Sequence, residues 1–463
     1  MCNMRSCRNK LRVILVPYPA QGHVTPMLKL ASTFVTRGFE PILLTPDFIH
    51  TQITTTLHSQ TEISFMSFPD GLKNDQPRDF FAIETVVENV LPVHLDRIIR
   101  TVNKDASVVC VVLDLLASSA VEVARRCGVS AAGFWPAMLA TYCLIDAIPE
   151  MIKTGCISDT GSPQNLEKAQ FLPNQPMLST EDLPWLIGTP AARKSRFKFW
   201  KRTLERSRNL KWMLVNSFPE EYIDFKQLKA ASQPKVLLVG PLNKHAIIQN
   251  SSFWEEDLSC MEWLEKQKQN SVVYISFGSW VSPIGEAKVK SLALTLEALG
   301  LPFIWVLGFA WREGLPEGYS ERVSRQGRIV SWAPQMKVLQ HRAVGLYLTH
   351  CGWNSTMEAI QCRKRMLCYP VAGDQFVNCA YIVKMWKIGV KINGFEEKDI
   401  EEGLRKVIED GEMENRLMKL YMRTMGEQAR ARVMANITDL VDDISELNGQ
   451  LHLKNVDHHF FHL

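Results

Sequence analysis

The chain has 463 residues, of which 46% are hydrophobic and 22% charged, with a formal net charge of +4. This composition is that of a folded globular protein, and the length predicts two domains of roughly 200 residues each. No basic cluster with interleaved aromatic residues stands out, so nucleic acid is not an expected partner.

The eleven cysteines form no CxxC pair and fall mostly inside strand or helix patterns. We therefore expect buried, reduced thiols, with no zinc site and no disulfide framework. The apolar run after the basic N-terminus spans only about seven residues before Pro17 and has the pattern of a strand, not of a signal peptide. No run of about 18 apolar residues occurs, so we expect a cytoplasmic protein without a membrane anchor.

Strand and helix patterns alternate through the first half of the chain. Buried-type strands are predicted near 12–18, 41–45, 62–68, 107–113, 130–135, 211–217 and 235–239. The stretch from about 155 to 208 is rich in proline and irregular, and residues 243–257 are polar, as in an interdomain linker. The alternation predicts parallel sheets with right-handed crossovers.

His23 follows the first predicted strand, in the segment PAQGHVTPMLKLAS. Pro19, Gly22 and Thr25-Pro26 indicate a loop that leads into a helix, which places His23 on that loop. In open α/β sheets ligands bind at this carboxyl edge, and a neutral histidine can accept a proton from a hydroxyl. The alternative is an ordinary loop histidine held by a hydrogen bond.

Asp114 ends the strand predicted at 107–113, and a helical pattern begins near Ala117. A carboxylate in this position can cap the following helix or can pair with a charged group. The residues alone leave both roles open.

The second half opens with a strand and then continues as an α/β pattern. Its predicted features are SVVYISFGSW (271–280), which leads to Gly278 and Ser279, a helix near 284–299, strands at 303–308 and 327–332, and helices from Lys398 onward. No GxGxxG occurs, which counts against a dinucleotide dehydrogenase or a nucleotide-sugar epimerase.

The most informative segment is WAPQMKVLQHRAVGLYLTHCGWNSTMEAIQCRKRMLCYPVAGDQ, from Trp332 to Gln375. Its apolar run VGLYLTH is a strand that breaks at CGWNST, where a helical pattern begins. Backbone N–H groups at a helix N-terminus are unpaired and partially positive, so this turn can bind a diphosphate. Gly352 permits close approach of the chain, and polar side chains are supplied by His350, Asn354 and Ser355. The plainer alternative is an ordinary strand and helix with a good N-cap.

At these residues the chain resembles the plant family 1 UDP-glycosyltransferases, whose signature also starts with Trp and ends with Asp-Gln. The resemblance extends over about residues 11 to 448. It implies an α/β protein with the GT-B fold, in which two Rossmann-like domains face a cleft. It also implies a monomeric enzyme of plant secondary metabolism that binds a UDP-sugar donor and a small-molecule acceptor.

The resemblance assigns roles to single residues. His23 matches the catalytic base of a PxQGHxxP motif, and Asp114 matches the aspartate that orients and stabilises that base. The UDP-sugar site has Trp332 on the uracil ring, Gln335 on its edge, Glu358 on the ribose hydroxyls, His350, Asn354 and Ser355 on the phosphates, and Asp374 and Gln375 on the sugar. Ser279, Ala333, Gly352 and Trp353 complete the implied site.

The family resemblance also implies the reaction. His23 removes a proton from the acceptor, whose oxygen attacks and inverts the anomeric carbon. Charge on the departing diphosphate is met by the helix N-terminus and His350, so we expect no metal and no other cofactor. In the family, Trp at position 353 and Gln at position 375 go with glucose, so the expected donor is UDP-glucose. The expected product is a β-glucoside, formed at a hydroxyl or another nucleophile of a small lipophilic acceptor.

The implied domain boundaries are 1–242 for the acceptor-binding domain, 243–257 for the linker, 258–434 for the UDP-sugar-binding domain, and 435–463 for a C-terminal helix that returns to the first domain, plus a tail.

The chain departs from the family pattern at three sites. Arg363-Lys364-Arg365 replace Gly-x-Pro after the signature helix, Pro136 replaces a Ser or Thr, and Gly308 replaces an Arg. The alternative function is a binding or regulatory protein that holds a UDP-sugar with little turnover.

Overall fold

The computed structural model describes residues 11–57, 62–73, 76–104, 107–164, 175–219, 234–242, 254–279 and 284–460. Most of the expected linker, residues 243–253, and the last three residues of the tail lie outside these ranges.

Seven parallel strands form the first sheet, in the order β3-β2-β1-β4-β5-β6-β7. They are β1 (Leu11–Val16), β2 (Glu40–Pro46), β3 (Ser64–Phe68), β4 (Ser107–Asp114), β5 (Ser130–Trp135), β6 (Trp212–Val215) and β7 (Lys235–Leu238). The central strands are apolar and buried, as expected for a parallel sheet that helices cover on both faces. All seven strands predicted in this half of the chain are therefore confirmed, with small differences at their ends.

Eight α-helices accompany this sheet within the ranges that the structure describes. They are α1 (Gln21–Thr36), α2 (Asp47–Leu57), α3 (Phe80–Thr85), α4 (Leu91–Val102), α5 (Ala120–Arg126), α6 (Leu139–Asp146), α7 (Ile148–Lys153) and α8 (Pro190–Ser207). In α4, Leu91, Leu95, Ile98 and Val102 recur at helical spacing and are all buried. Thr189 caps α8 by accepting a hydrogen bond from the Ala192 N–H, and Pro190 occupies the first helical position.

Six parallel strands form the second sheet, in the order β10-β9-β8-β11-β12-β13. They are β8 (Val272–Ser276), β9 (Phe303–Val306), β10 (Gly327–Val330), β11 (Val344–Thr349), β12 (Arg365–Cys368) and β13 (Gly389–Lys391). The sequence predicted the first four of these strands and missed β12 and β13, which have only four and three residues. The two Rossmann-like parallel sheets confirm the expected GT-B architecture.

Nine helices belong to the second half of the chain, within the ranges that the structure describes. They are α9 (Ser259–Glu265), α10 (Glu286–Ala298), α11 (Tyr319–Arg322), α12 (Gln335–Gln340), α13 (Trp353–Gln361), α14 (Gln375–Ala380), α15 (Glu397–Glu409), α16 (Met413–Met425) and α17 (Glu427–Phe460). None of the helices in the described ranges combines the length and the apolar character that a membrane span requires.

The strand order of each sheet reverses at one point, between β1 and β4 in the first sheet and between β8 and β11 in the second. Ligands of open α/β sheets bind in the crevice that such a reversal opens at the carboxyl ends of the strands. Val16 pairs with Leu113 at the first reversal, and Ser276 pairs with Thr349 at the second. The segments that follow these four strands therefore meet at two crevices, one in each domain.

The end of α13 shows how the chain accommodates Arg363-Lys364-Arg365. The helix stops at Gln361, and Arg363 takes a left-handed φ of 53°, a conformation that usually belongs to glycine at this position. The Lys364 N–H donates to the Ala359 carbonyl at 2.8 Å, which closes the last turn. Arg365 then begins β12, so the family's glycine is replaced without lengthening the helix.

The long helix α17 packs against the first sheet. Ile437, Leu440 and Ile444 are buried in one core cluster with residues of β1 and β4. Asp443 accepts hydrogen bonds from the Trp212 Nε1–H at 2.8 Å and from Lys235 Nζ at 3.0 Å. The C-terminal part of the chain thus contributes apolar and polar contacts to the first domain.

We expect Leu440→Ala to destabilise the first domain by about 2–5 kcal/mol, because a fully buried leucine leaves a cavity when truncated. Met434→Ala, on the same helix but 41% exposed, is the matched control and should change stability much less. Urea unfolding followed by tryptophan fluorescence measures both. Equal effects of the two substitutions would show that α17 does not contribute to the core.

Candidate active site

A cavity of about 420 Å³ lies between the two domains, at the carboxyl ends of both sheets. Its lining includes His23 and every residue of the implied UDP-sugar site: Ser279, Trp332, Ala333, Gln335, His350, Gly352, Trp353, Asn354, Ser355, Glu358, Asp374 and Gln375. The structure therefore brings together residues that are more than 300 positions apart in the sequence. Asp114 is fully buried and lies behind His23.

His23 and Asp114 form a close pair at the first reversal point. His23 Nδ1 lies 2.8 Å from Asp114 Oδ2, and the His23 side chain keeps 26% of its exposure while that of Asp114 has none. The other carboxylate oxygen of Asp114 accepts a hydrogen bond from the Leu116 N–H at 2.9 Å. The two roles left open for Asp114 are thus not exclusive, because it caps the next turn and contacts the histidine.

The electrostatic surroundings of His23 favour its protonated form. Burial disfavours the charged ring, but the carboxylate of Asp114, with a smaller contribution from Asp374, outweighs burial and raises the pKa of His23 above its ordinary value. The carboxylate oxygen of Asp114 beside Nδ1 is a hydrogen-bond acceptor, so it favours the neutral tautomer of His23 that carries its proton on Nδ1. The neutral ring then presents Nε2 as its acceptor.

His23 is part of a helix, so its predicted placement on a loop is wrong. α1 begins at Gln21, and Pro26 lies inside it. Pro26 has no N–H to donate to the Gly22 carbonyl, four residues earlier. That carbonyl accepts a hydrogen bond from Asn354 Nδ2 at 2.9 Å instead. The helix that carries His23 is thereby joined to α13 of the other domain.

The turn between β11 and α13 holds His350 in a narrow space. Cys351 has a φ of 65°, and Gly352 precedes the helix as its N-cap residue. A Cβ at Gly278 would lie 2.6 Å from His350 Nε2, and a Cβ at Gly352 would lie 2.5 Å from the same atom. Glycine is therefore required on both sides of the ring, which was not evident from the sequence pattern.

His350 differs from His23 in its protonation. Burial lowers the pKa of His350 to about 4, so the ring is neutral at physiological pH. A neutral imidazole can donate one hydrogen bond to an anion without adding a charge. The positive potential at this turn therefore comes from the unpaired N–H groups at the start of α13.

Gln335 and Glu358 are hydrogen-bonded to each other at the wall of the second domain. Gln335 Nε2 donates to Glu358 Oε2 at 2.6 Å and to Ser355 Oγ at 3.2 Å. Gln335 Oε1 accepts from the Tyr274 hydroxyl at 3.0 Å and the Tyr347 hydroxyl at 3.2 Å. These bonds fix the orientation of the amide and of the carboxylate beside the cavity.

Asp374 and Gln375 lie at the start of α14. Gln375 Oε1 accepts hydrogen bonds from the backbone N–H groups of Val371 and Ala372, both at 2.9 Å. This oxygen is therefore occupied within the protein and is not the atom that would accept a hydrogen bond from a ligand. Asp374 Oδ2 accepts from Asn378 Nδ2 at 2.9 Å. Burial raises the pKa of Asp374 above its ordinary value, although Asn378 and His23 oppose the shift.

The side chain of Trp353 connects the two domains. Its Nε1–H donates to the Asn216 carbonyl at 2.7 Å, and its ring stacks on Phe218 with centroids 6.1 Å apart. Only 4% of Trp353 is exposed. Its indole N–H is therefore hydrogen-bonded to the first domain.

The sequence pattern did not single out several lining residues, because single residues within strands, loops and helices carry no distinctive pattern. They are Tyr18, Phe80, Trp135, Thr141, Arg196 and Trp200. Thr141 is 1% exposed, and its Oγ1 has no hydrogen-bond partner among the described residues. It lies on α6, five positions after Pro136, which also lines the cavity.

Three buried thiols lie close together beneath the same turn. The Sγ atoms of Cys351, Cys368 and Cys379 are all within 4.8 Å of one another. The sequence separates them by many residues, so no metal-type spacing indicated this group. The structure brings them together because β11, β12 and α14 are neighbours.

The fold and this cleft define a glycosyltransferase of the GT-B class, and comparison with known proteins gives the family. The family described as UDP-glucoronosyl and UDP-glucosyl transferase matches residues 242–424. UDP-glycosyltransferase 82A1 of Arabidopsis thaliana is 53% identical over 94% of this chain and 99% of its own length. UDP-glycosyltransferase 83A1 of the same plant is 30% identical over 90% of this chain and 93% of its own length.

Solved structures agree with these relatives. A UDP-glucose: anthocyanidin 3-O-glucosyltransferase in complex with UDP is 25% identical, covers 95% of this chain and all of its own, and has a TM-score of 0.80. UGT71G1 of Medicago truncatula, complexed with UDP-glucose, is 24% identical and has a TM-score of 0.79. The match covers 94% of this chain and 98% of that structure. The chain belongs to the plant family 1 UDP-glycosyltransferases. The comparisons favour an enzyme over the regulatory alternative.

We expect Gly352→Ala to weaken UDP binding roughly tenfold or more, because an added methyl group would push against the His350 ring and overpacking costs about 1–3 kcal/mol. Gly308→Ala is the matched control, since its φ of −58° resembles the −59° of Gly352 and its Cβ meets no atom within 4 Å. Isothermal titration with UDP measures the affinity of each variant. An unchanged affinity in Gly352→Ala would show that the position of the His350 ring does not matter for the nucleotide.

Proposed function

We propose that this protein transfers glucose from UDP-glucose to a hydroxyl of a small lipophilic acceptor and forms a β-glucoside. The observation that carries the proposal is the His23–Asp114 pair, at 2.8 Å, which faces the same cavity as the residues of the Trp332–Gln375 segment. A base on one domain and an anion-binding turn on the other are the two parts that an inverting transfer needs.

The donor is proposed to occupy the second domain. Its uracil ring stacks on Trp332, with Ala333 and Gln335 at the ring edge and Glu358 at the ribose hydroxyls. The diphosphate lies at the N-terminus of α13, and its oxygens are contacted by Ser279, His350, Gly352, Asn354 and Ser355. Asp374 and Gln375 contact the sugar hydroxyls. The buried, neutral His350 supports this arrangement because it can donate a hydrogen bond there.

The chemical step follows from the direction in which His23 faces. Nε2 takes the proton of the acceptor hydroxyl as that oxygen attacks the anomeric carbon. A new carbon–oxygen bond forms while the bond to the diphosphate oxygen breaks, and UDP leaves with the electron pair. Asp114 stabilises the protonated ring. The N–H groups of α13 meet the developing negative charge, so the proposed step needs no metal and no cofactor.

The preference for glucose is proposed from Gln375. Because its Oε1 is held by Val371 and Ala372, its NH₂ group is the part that can reach a sugar hydroxyl as a donor. The carboxylate of Asp374 beside it supplies an acceptor. A donor and an acceptor side by side suit two neighbouring equatorial hydroxyls.

The domain boundaries are proposed as 1–242, 243–257, 258–434 and 435–463, in agreement with the two sheets and with the contacts of α17. We also propose a cytoplasmic, monomeric enzyme. The nine cysteines in the described part of the chain are all free thiols, which fits a reducing compartment.

Asp114→Asn is expected to lower kcat and to move the acidic limb of the kcat/KM profile to lower pH. His23 must be neutral to act as a base, and the Asp114 carboxylate raises its pKa, so activity in the wild type should fall as the pH drops through a value above ~6.5. Asparagine keeps the shape but removes the charge, so the pKa of His23 falls and the limb follows it.

His23→Ala is the companion variant for this experiment. It should lose about 10²–10⁴-fold in transfer and should lack the acidic limb, while its UDP affinity stays within a few-fold of the wild type. If Asp114→Asn changed only the thermal stability and left the pH profile in place, Asp114 would be a capping residue alone.

A competition among UDP-glucose, UDP-galactose, UDP-xylose and UDP-glucuronate, with one acceptor in excess, tests the donor. We expect UDP-glucose to give the highest kcat/KM and Gln375→Ala to reduce that preference, because the amide donor is lost. Mass spectrometry of the products gives the ratios. A preference of the wild type for any of the other three donors would overturn the glucose assignment and leave the transfer mechanism standing.

A further inference from the structure

Arg196 lies on the acceptor side of the cavity. It belongs to α8, and Trp200, one helical turn later on the same face, lines the cavity with it. Aromatic rings form much of the wall around it, since Trp135 lies 5.9 Å from Trp200 and Tyr18 lies 5.2 Å from the His23 ring, measured between centroids. Arg196 therefore places a cation beside these rings, in a wall that also contains polar side chains such as Thr141, and it is in electrostatic contact with Tyr18.

The charge of Arg196 has no ion-pair partner among the described residues. The two carboxylates that act electrostatically on Arg196 have other hydrogen-bond partners. Asp79 accepts from the N–H groups of Phe81 and Ala82, and Glu84 Oε1 accepts from Arg202 at 2.7 Å. Arg196 Nε is buried and has no hydrogen-bond partner in the part of the chain that the structure describes.

What Arg196 does contact is aromatic. Its guanidinium carbon lies 4.1 Å from the centroid of the Phe80 ring and 5.2 Å from that of Phe81. Stacking on a ring orients the planar guanidinium and leaves its N–H edge open for an anion. Burial lowers the pKa of Arg196, although Tyr18, Asp79 and Glu84 oppose this shift, which shows that water compensates the charge only in part.

We propose that the acceptor is a small hydroxylated amphiphile with a carboxylate, and that Arg196 binds the carboxylate while the hydroxyl lies at His23. The proposal rests on the proposed function and names the acceptor class of the same site. A carboxylate fits because it accepts two parallel hydrogen bonds from the guanidinium edge. The carboxylate takes no part in the transfer, so the product is a glucoside that keeps its free acid.

The structural alternative is that Arg196 only supports Phe80 and Phe81 by stacking. Arg196→Lys separates the two roles, because lysine keeps the positive charge but loses the planar contact. If the charge binds the acceptor, lysine retains part of the preference for an acid. Arg196→Gln removes the charge, and Lys198→Gln removes the same charge from an exposed position of the same helix.

The experiment compares three hydroxy acids with their methyl esters: 4-hydroxybenzoate, 3-(4-hydroxyphenyl)propanoate and 12-hydroxydodecanoate. Equilibrium binding in the presence of UDP is measured by calorimetry, and transfer from UDP-glucose by mass spectrometry. In the wild type we expect at least one acid to bind roughly 10–100-fold tighter than its ester. Arg196→Gln should abolish this ratio, mainly through KM, while Lys198→Gln keeps it.

Two results would overturn the proposal: no acid that binds better than its ester in the wild type, or the same acid-to-ester ratio in Arg196→Gln. The UDP affinity and melting temperature of each variant show whether the fold is retained. The two proposals can fail separately. If an acid binds through Arg196 but no acceptor is glucosylated, the transfer proposal fails and the carboxylate site stands. If esters and acids are glucosylated equally well, the carboxylate site fails and the transfer proposal stands.

Discussion

The hydrogen bond from Asn354 to the Gly22 carbonyl sets the relation between the two halves of the site. Gly22 has an open carbonyl because Pro26 cannot donate to it within α1, and Asn354 Nδ2 reaches it at 2.9 Å from the other domain. One such bond contributes only about 0.5–1.5 kcal/mol, so its effect is to orient, not to stabilise. It matters because the next residue after Gly22 is His23, and a base must lie within about 3–3.5 Å of its target in a productive geometry. The start of α13, which is the proposed anion-binding turn, thus also positions the proposed base.

Two histidines in one cavity reach opposite protonation preferences through their neighbours. His23 lies beside the buried carboxylate of Asp114, which raises its pKa, whereas His350 is enclosed by Gly278 and Gly352 with no carboxylate in contact among the described residues, and burial lowers its pKa to about 4. The first ring can therefore accept and hold a proton, and the second stays neutral and can donate a hydrogen bond. Separating the pKa values of like groups by their environment is how one cleft can contain both a base and an anion-binding group.

The sequence predicted the features that depend on local pattern or on a long motif. The strands of the first sheet follow from apolar runs, and the turn at Gly352 follows from a strand that breaks into a helix. What it missed depends on tertiary contacts. Strand β13 has three residues, too few for a pattern, and α1 begins earlier than expected because the open Gly22 carbonyl created by Pro26 is satisfied from another domain. The contact of Cys351 with Cys379 arises from packing between elements that are distant in the chain. The same holds for the position of Arg196, whose Nε has no hydrogen-bond partner among the described residues.

In the family, Trp at position 353 goes with glucose as the sugar of the donor, but this correlation does not mean that the Trp353 side chain contacts the sugar. Its indole N–H donates a hydrogen bond to the Asn216 carbonyl and its ring stacks on Phe218, so the side chain is part of the interface between the domains. Any effect of position 353 on the proposed donor is therefore expected to act through the relative position of the domains and the start of α13. Under the proposed function, direct recognition of the sugar falls to Gln375 and Asp374, whose amide donor and carboxylate acceptor are held in place by Val371, Ala372 and Asn378.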